Sequence, residues 1–318
     1  MNLFELRAAH QGGRLTKQQY IDEMHKVHEC LFAYADFLRG TDVARIEITD
    51  GQIVMQSRER GIRMVCNKDD KRIIPIEILN FGSFEKPELD MMLRLVGDQS
   101  TILDIGANVG WYSIALAKAY PSARILAFEP IPSTYRQLQE NIRINDVHNV
   151  KIHNFGLSDR IDTLTFYFYP ECSGNASLAN LTSSQGVEVL SCPVRTLDDF
   201  ATEGDVTVDF IKCDVEGAEL LVFKGGVQMI GRCRPIIFTE LLRKWSAKFD
   251  YHPNQIIELL AGLGYQCFTV EEGRLTSFFS MDENTVETNF IFLHTAKHAS
   301  LIALFCHDRK NDVIPVPA

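Results

Sequence analysis

From Tyr20 onward the apolar residues recur as Met24, Val27, Leu31, Tyr34 and Leu38, spaced alternately by four and three, which puts them on one face of a helix. Thr16 and Gln19 form a capping-box pattern at its start, and Gly40 ends the run. This predicts one amphipathic helix over residues 17 to 39 whose stripe packs on the chain's own core. The spacing also fits a heptad seam, over too few heptads to argue for a coiled coil. A homodimer through this helix is the other arrangement it allows. Ile46 and Ile48 then alternate with polar residues up to Asp50-Gly51, and Ile53 and Met55 resume the alternation, as in a tight hairpin. Residues 1 to 95 therefore read as a helix and β-hairpin extension.

From Ser100 the pattern changes to short apolar runs alternating with helical stretches, as expected for parallel strands joined by crossover helices. Strands are predicted at 101–105, 124–129, 149–155, 207–214, 235–240, 265–270 and 289–295, with helices near 110–119, 133–145, 217–224 and 253–262. The fold class is α/β, a doubly wound seven-stranded Rossmann-like sheet over residues 96–296. Between the third and fourth strands, the runs Leu164 to Tyr169 and Val187 to Val194 flank a polar loop and read as an inserted antiparallel ribbon. The tail, 297–318, carries one apolar patch, Leu301 to Phe305, and ends in Pro-Val-Pro-Ala; no role follows for it.

The first strand runs into Asp104-Ile-Gly-Ala-Asn-Val-Gly110 at the start of a helix. Gly106 and Gly110 let the backbone approach a nucleotide-like ligand, and the helix start offers free N–H groups. The spacing is not the GxGxxG of dinucleotide enzymes. Asp104 instead puts a carboxylate where it repels phosphate and attracts the amino end of an aminoacyl ligand. The second strand ends in Phe128-Glu129-Pro130, 25 residues after Asp104, where a ribose-binding carboxylate belongs. Gly156-Leu-Ser158-Asp159 follows the third strand, where adenine would lie, although a turn with Asp159 as a local cap explains it nearly as well. The fourth strand leads into Asp214-Val-Glu216-Gly-Ala-Glu219 and the fifth ends in Glu240, so Asp214, Glu216 and Glu240 are expected at one rim. Either Glu216 or Glu219 is instead expected to serve the helix start nearby.

Composition narrows the partners. The formal charge is −10 over 318 residues, with 46% hydrophobic residues, and no Lys/Arg run offers a phosphate footprint, which argues against nucleic acid. No apolar run reaches the roughly 20 residues that cross a bilayer, and Met1 to Gly13 lacks a signal-peptide core; no membrane span and a cytoplasmic location are expected. The eight cysteines are scattered, without metal spacing, and read as reduced packing thiols. None of the nine histidines has a partner at informative spacing.

Together these motifs resemble the FkbM family of S-adenosylmethionine-dependent methyltransferases. The resemblance runs over about residues 80–295 and rests on DIGANVG at 104–110, FEP at 128–130, Asn141 and Asn145, GLSD at 156–159, KCDVEGAE at 212–219, and Arg234-Pro with Glu240. Cys213 stands where the family more often has isoleucine. The resemblance implies O-methylation of a sugar, a glycan precursor or a natural product, with S-adenosyl-L-methionine as cofactor and a small-molecule or sugar acceptor. It sets Glu85, Asp104, Gly106, Asn108, Gly110, Glu129, Ser158 and Asp159 at the cofactor, with Phe84 or Glu85 near its methionyl end. Asp214, Glu216 and Glu240, in that order, are the candidate bases. No residue is assigned to a metal; magnesium on the same carboxylates is allowed but not favoured. Nitrogen acceptors rank second, because Asp214-Val-Glu-Gly217 stands where an Asn/Asp-Pro-Pro-aromatic motif would mark them. An NAD-binding or non-catalytic Rossmann-like protein is the remaining alternative.

Overall fold

The computed structural model describes residues 1–182 and 186–306. The chain opens with helices α1 (Leu3–Gln11) and α2 (Lys17–Phe37), followed by strands β1 (Val43–Thr49), β2 (Gln52–Ser57) and β3 (Arg63–Val65). The expected hairpin thus gains a third strand, in the antiparallel order β1-β2-β3. Helices α3 (Ile74–Phe81) and α4 (Lys86–Leu95) lead into the main domain.

That domain alternates strands and helices: β4 (Thr101–Ile105), α5 (Trp111–Ala119), β5 (Arg124–Phe128), α6 (Pro132–Asn145) and β6 (Val150–His153). The insert holds β7 (Gly156–Leu157), β8 (Asp162–Phe168) and β9 (Glu188–Arg195), before α7 (Leu197–Glu203), β10 (Phe210–Cys213), α8 (Glu219–Lys224) and α9 (Val227–Cys233). It closes with β11 (Ile236–Glu240), α10 (Arg243–Ser246), α11 (Asn254–Gly262), β12 (Tyr265–Glu271), β13 (Arg274–Phe278), β14 (Asn289–His294) and α12 (Ala299–Phe305). The ribbon forms as expected, β8 antiparallel to β9, with β7 added alongside.

The main sheet has the order β6-β5-β4-β10-β11-β14-β12-β13. All seven expected strands are present, but the sheet has eight: β13 pairs antiparallel with β12 at the edge. It carries only Leu275 and Phe278 as apolar residues, so its apolar pattern is weak, and its ladder with β12 supplies what the pattern lacks. Side chains alternate across the sheet. Ile102 and Phe210 enter the layer under α4 and α5, together with β1–β3. Leu103, Ile105, Ile211 and Cys213 enter the layer under α7, α8, α9 and α11.

Helix α2 corrects the expectation that its stripe packs on the core. The capping box of Thr16 and Gln19 is present, but none of the 21 residues of α2 is buried. Short α1 lies against it, with Leu6 and Ala9 buried and His10 stacked 4.6 Å from Tyr20. Periodicity identifies an apolar stripe but not what covers it. Among the described residues no helix is long and apolar enough to cross a membrane, no two of the cysteines form a disulfide, and Cys30 is the exposed one of the eight.

Candidate active site

The parallel register decides which side chains meet. Lys212 of β10 pairs with Asp104 of β4, so the two side chains leave the sheet side by side on the α5 face. Asp214 follows two residues later. Lys212 Nζ lies 3.6 Å from Asp104 and 3.5 Å from Asp214, and donates to the Gly106 carbonyl at 2.8 Å. The ring of Tyr112 lies 5.5 Å from the same ammonium. Burial alone would lower the Lys212 pKa, but Asp214 and Asp104 more than offset it and hold it above the ordinary lysine value.

Gly106, Tyr112, Lys212 and Asp214 border a cavity of about 230 Å³ at the carboxyl ends of β4, β10 and β11, where ligands bind in open α/β sheets. Gly106, at φ +73°, sits so close to β10 that an added Cβ would lie 1.8 Å from the Asp214 carbonyl oxygen. Gly110, at φ +94°, has Leu138 2.4 Å from that position. Glu129 is buried and accepts from the Asn108 and Ile131 N–H groups at 3.0 and 2.8 Å. Burial pushes its pKa up to about 7, against these two backbone donors.

The opposite rim carries the acids. Asp214, Glu216 and Glu240 place carboxylate oxygens within 4.8 Å of one another, a grouping that can hold a metal ion. Burial first, and then Asp214, raises the pKa values of Glu216 and Glu240 well above the ordinary carboxyl range. Glu216 takes a left-handed backbone at φ +55° and lines the cavity. Glu219 stands in the first turn of α8 and accepts from the Val215 and Gly217 N–H groups of the preceding turn at 3.0 and 3.1 Å, with no side-chain bond capping the helix. Glu85 also lines the cavity and accepts from the Tyr112 hydroxyl; its burial raises its pKa.

Of the expected site residues, Glu85, Gly106, Asn108, Glu129, Asp214, Glu216 and Glu240 line this cavity. Asp104 lies fully buried behind it, held by the Ser113 hydroxyl at 2.6 Å, and Gly110 supports it from the start of α5. Ser158 and Asp159 lie outside it: Ser158 packs its carbonyl on Gly225, and Asp159 pairs with Arg160 at 2.9 Å. Their neighbours Gly156 and Leu157 instead line an adjoining apolar recess with Phe166, Leu178 and Val215. Trp111 and Tyr112 are buried as expected and still face the cavity.

Two features went unread in the sequence. Lys212 carries its own signal, a lysine inside the apolar run Phe210 to Cys213, since a buried ammonium needs an acidic partner. The cavity roof carried none. Asp70 accepts from the Ser173 N–H at 3.2 Å and Lys71 donates through its own N–H to the Glu171 carbonyl at 2.9 Å. This brings Arg72 and Glu77 over the cavity beside Cys172 to Ala176.

Residues 104–267, 164 of the 318 and so just over half, match the family described as the methyltransferase FkbM domain. A stretch of 148 residues is 34% identical to Methyltransferase 1 of Beauveria bassiana, covering 40% of this chain and 59% of that protein. Another, of 154 residues, is 29% identical to 2-O-methyltransferase NoeI of Sinorhizobium fredii, covering 44% and 62%. The alignments thus span about three-fifths of these relatives. Methyltransferase FkbM from Methylobacillus flagellatus superposes with a TM-score of 0.42 at 18% identity, over 67% of this chain and 52% of that one.

Proposed function

The chain belongs to the FkbM methyltransferase family, and from that premise we propose that it is an S-adenosylmethionine-dependent O-methyltransferase acting on a hydroxyl of a sugar, a glycan precursor or a natural product. The observation that carries the reading is the pairing, across one cavity, of a ribose-type carboxylate, Glu129, with the acid cluster Asp214, Glu216 and Glu240.

The cavity fits the cofactor. Of eight buried side-chain polar atoms without a hydrogen-bond partner among the described residues, four belong to Asp104, Asn108, Trp111 and Glu216; buried polar atoms are normally paired, so this concentration points to a polar ligand. When bound, S-adenosylmethionine supplies a sulfonium methyl that is transferred in line to an acceptor oxygen. Glu129 keeps lone pairs for a ribose diol, whereas Asp104, behind the cavity, turns Oδ1 to the Lys212 ammonium and Oδ2 to the Ser113 hydroxyl and so acts on a ligand only through Lys212 and the backbone. The apolar recess beside Leu157 suits a flat base.

The acceptor proton falls to the acid cluster. Lys212 is held cationic and cannot take it, and its ammonium engages Asp214. Glu216 and Glu240 have raised pKa values, which brings a carboxylate nearer to an alcohol's basicity, so they move ahead of Asp214 as the base. The Lys212 ammonium already neutralises part of this cluster, which favours a metal-free reading over magnesium. The acid-rich rim also favours an acceptor without carboxylate or phosphate near the reacting group. The name of the Sinorhizobium relative, a 2-O-methyltransferase, supports oxygen over nitrogen.

Glu216→Gln and Glu240→Gln test the base. One of them is expected to lower turnover by about 10² to 10⁴ while S-adenosylmethionine affinity stays nearly intact. Full turnover in both variants would move the base elsewhere. Loss of activity on chelation, restored by magnesium, would establish the metal reading instead.

A further inference from the structure

We infer, on the O-methyltransferase reading above, that Arg72 and Glu77 on the cavity roof select the acceptor by reading vicinal hydroxyls of a sugar ring, next to the hydroxyl that is methylated. Both residues line the cavity, and both lie outside 104–267, the stretch matched to the family. Arg72 is fixed twice: its backbone N–H donates to Asp70 at 3.0 Å and its Nε to Glu77 Oε1 at 3.1 Å. Glu77 is held in turn by the first turn of α3. Among the described residues the Nη groups of Arg72 and Oε2 of Glu77 make no hydrogen bond. The roof therefore presents unused donors beside an unused acceptor.

That pairing matches a diol, because each hydroxyl both accepts and donates. Arg72 donates to one ring oxygen substituent and Glu77 accepts from the next, and a guanidinium fixed beforehand loses less entropy on binding. The position agrees with the proposed base. The Glu77 bond chiefly, and the charge of Glu216 in lesser part, raise the Arg72 pKa, so Glu216 is within electrostatic reach of Arg72. A ring whose reacting hydroxyl meets Glu216 or Glu240 thus offers its neighbouring hydroxyls to the roof. Charge argues against an anionic acceptor. Six carboxyl side chains line the cavity against two cations, Arg72 and Lys212, and those cations are engaged by Glu77 and by Asp104 and Asp214. A phosphate or carboxylate would meet repulsion that neither is free to offset. A wholly apolar acceptor would cover the pair and leave its donors unpaired. Ile73 and Ile74 beside the pair give the C–H face of a sugar its apolar contact.

The test uses the full chain with a set of methyl hexopyranosides, their monodeoxy analogues, and cyclohexanol as a ring alcohol without a second hydroxyl. Saturation-transfer NMR reads glycoside binding, and methyl transfer from labelled S-adenosylmethionine reads turnover. The wild type is expected to bind and methylate at least one glycoside, and to use cyclohexanol at least about tenfold less efficiently. Arg72→Met and Glu77→Met should each raise the KM for that glycoside about tenfold with kcat within about threefold, the mark of a contact away from the reacting atoms. A pair whose arginine is 61% exposed carries little stability, so both variants should fold. Arg72→Lys keeps the charge without the fork and should lose nearly as much. The sharpest readout is a cycle: deleting the hydroxyl that Arg72 holds should cost the wild type the same factor and Arg72→Met almost nothing. Additive losses in that cycle, unchanged KM in both variants, equal use of cyclohexanol, or a folded chain that binds none of the glycosides overturns the proposal. A chain that binds glycosides through Arg72 but does not bind S-adenosylmethionine would sustain this pair and remove the methyltransferase reading instead.

Discussion

Glu129 accepts two backbone N–H groups, at 3.0 and 2.8 Å, and still faces the cavity. Glu129→Ala should therefore weaken S-adenosylmethionine binding by about 1.5 to 3 kcal/mol, the worth of hydrogen bonds to a charged group; calorimetry that finds unchanged affinity in a folded variant would remove the ribose role. Lys212 is a different kind of residue. Its ammonium is buried between Asp104 and Asp214, so Lys212→Met leaves a buried carboxylate unpaired and should cost about 3 to 5 kcal/mol of stability. Denaturant unfolding checks this, and a loss below about 1 kcal/mol would mean that the acids are neutral without it. Glu129, Asp214 and Glu240 were legible because each stands at or just past the end of a strand in a fixed order. The role of Lys212 was not, because its partner Asp104 lies 108 residues away and only the register of β4 against β10 joins them.

At the scale of elements, parallel strands announced themselves as apolar runs, and the doubly wound order follows from them. What failed to show was coverage and closure. Amphipathicity marked α2 without saying that its stripe stays open, and nothing in residues 70–77 or 171–177 signals that they meet above the cavity. That closure rests on Asp70, which is 3% exposed and bridges the Arg72 and Ser173 N–H groups at 3.0 and 3.2 Å. Asp70→Ala should loosen the roof, raising the acceptor KM about tenfold, as expected for one or two charge-assisted bonds. Cofactor affinity should change far less, since the contacts proposed for it follow β4 and β5. Equal losses of both, measured by steady-state kinetics and titration, would place the roof on the cofactor instead.

For the whole molecule, the raised carboxyls tie stability to pH. Glu129 and Glu219 are pushed from 4.5 to about 7 by burial, so the folded chain holds more protons than the unfolded one across that window. Their stabilisation is full below 4.5 and lost as pH rises through 7. His153 and His298, lowered from 6.5 to about 4 by burial, act oppositely, adding stability between 4 and 6.5. Above 6.5 the histidine contribution is complete and the carboxyls govern, so Tm should fall from pH 6.5 to 8, and Glu129→Gln should flatten that fall. A Tm that climbs to pH 8 would contradict the burial assigned to these acids. Isothermal titration of the full chain with S-adenosylmethionine and with NAD decides which ligand this cavity takes. One S-adenosylmethionine bound per chain and no heat from NAD is the expected result, whereas saturable NAD binding, or a folded chain indifferent to S-adenosylmethionine, would overturn the proposed function.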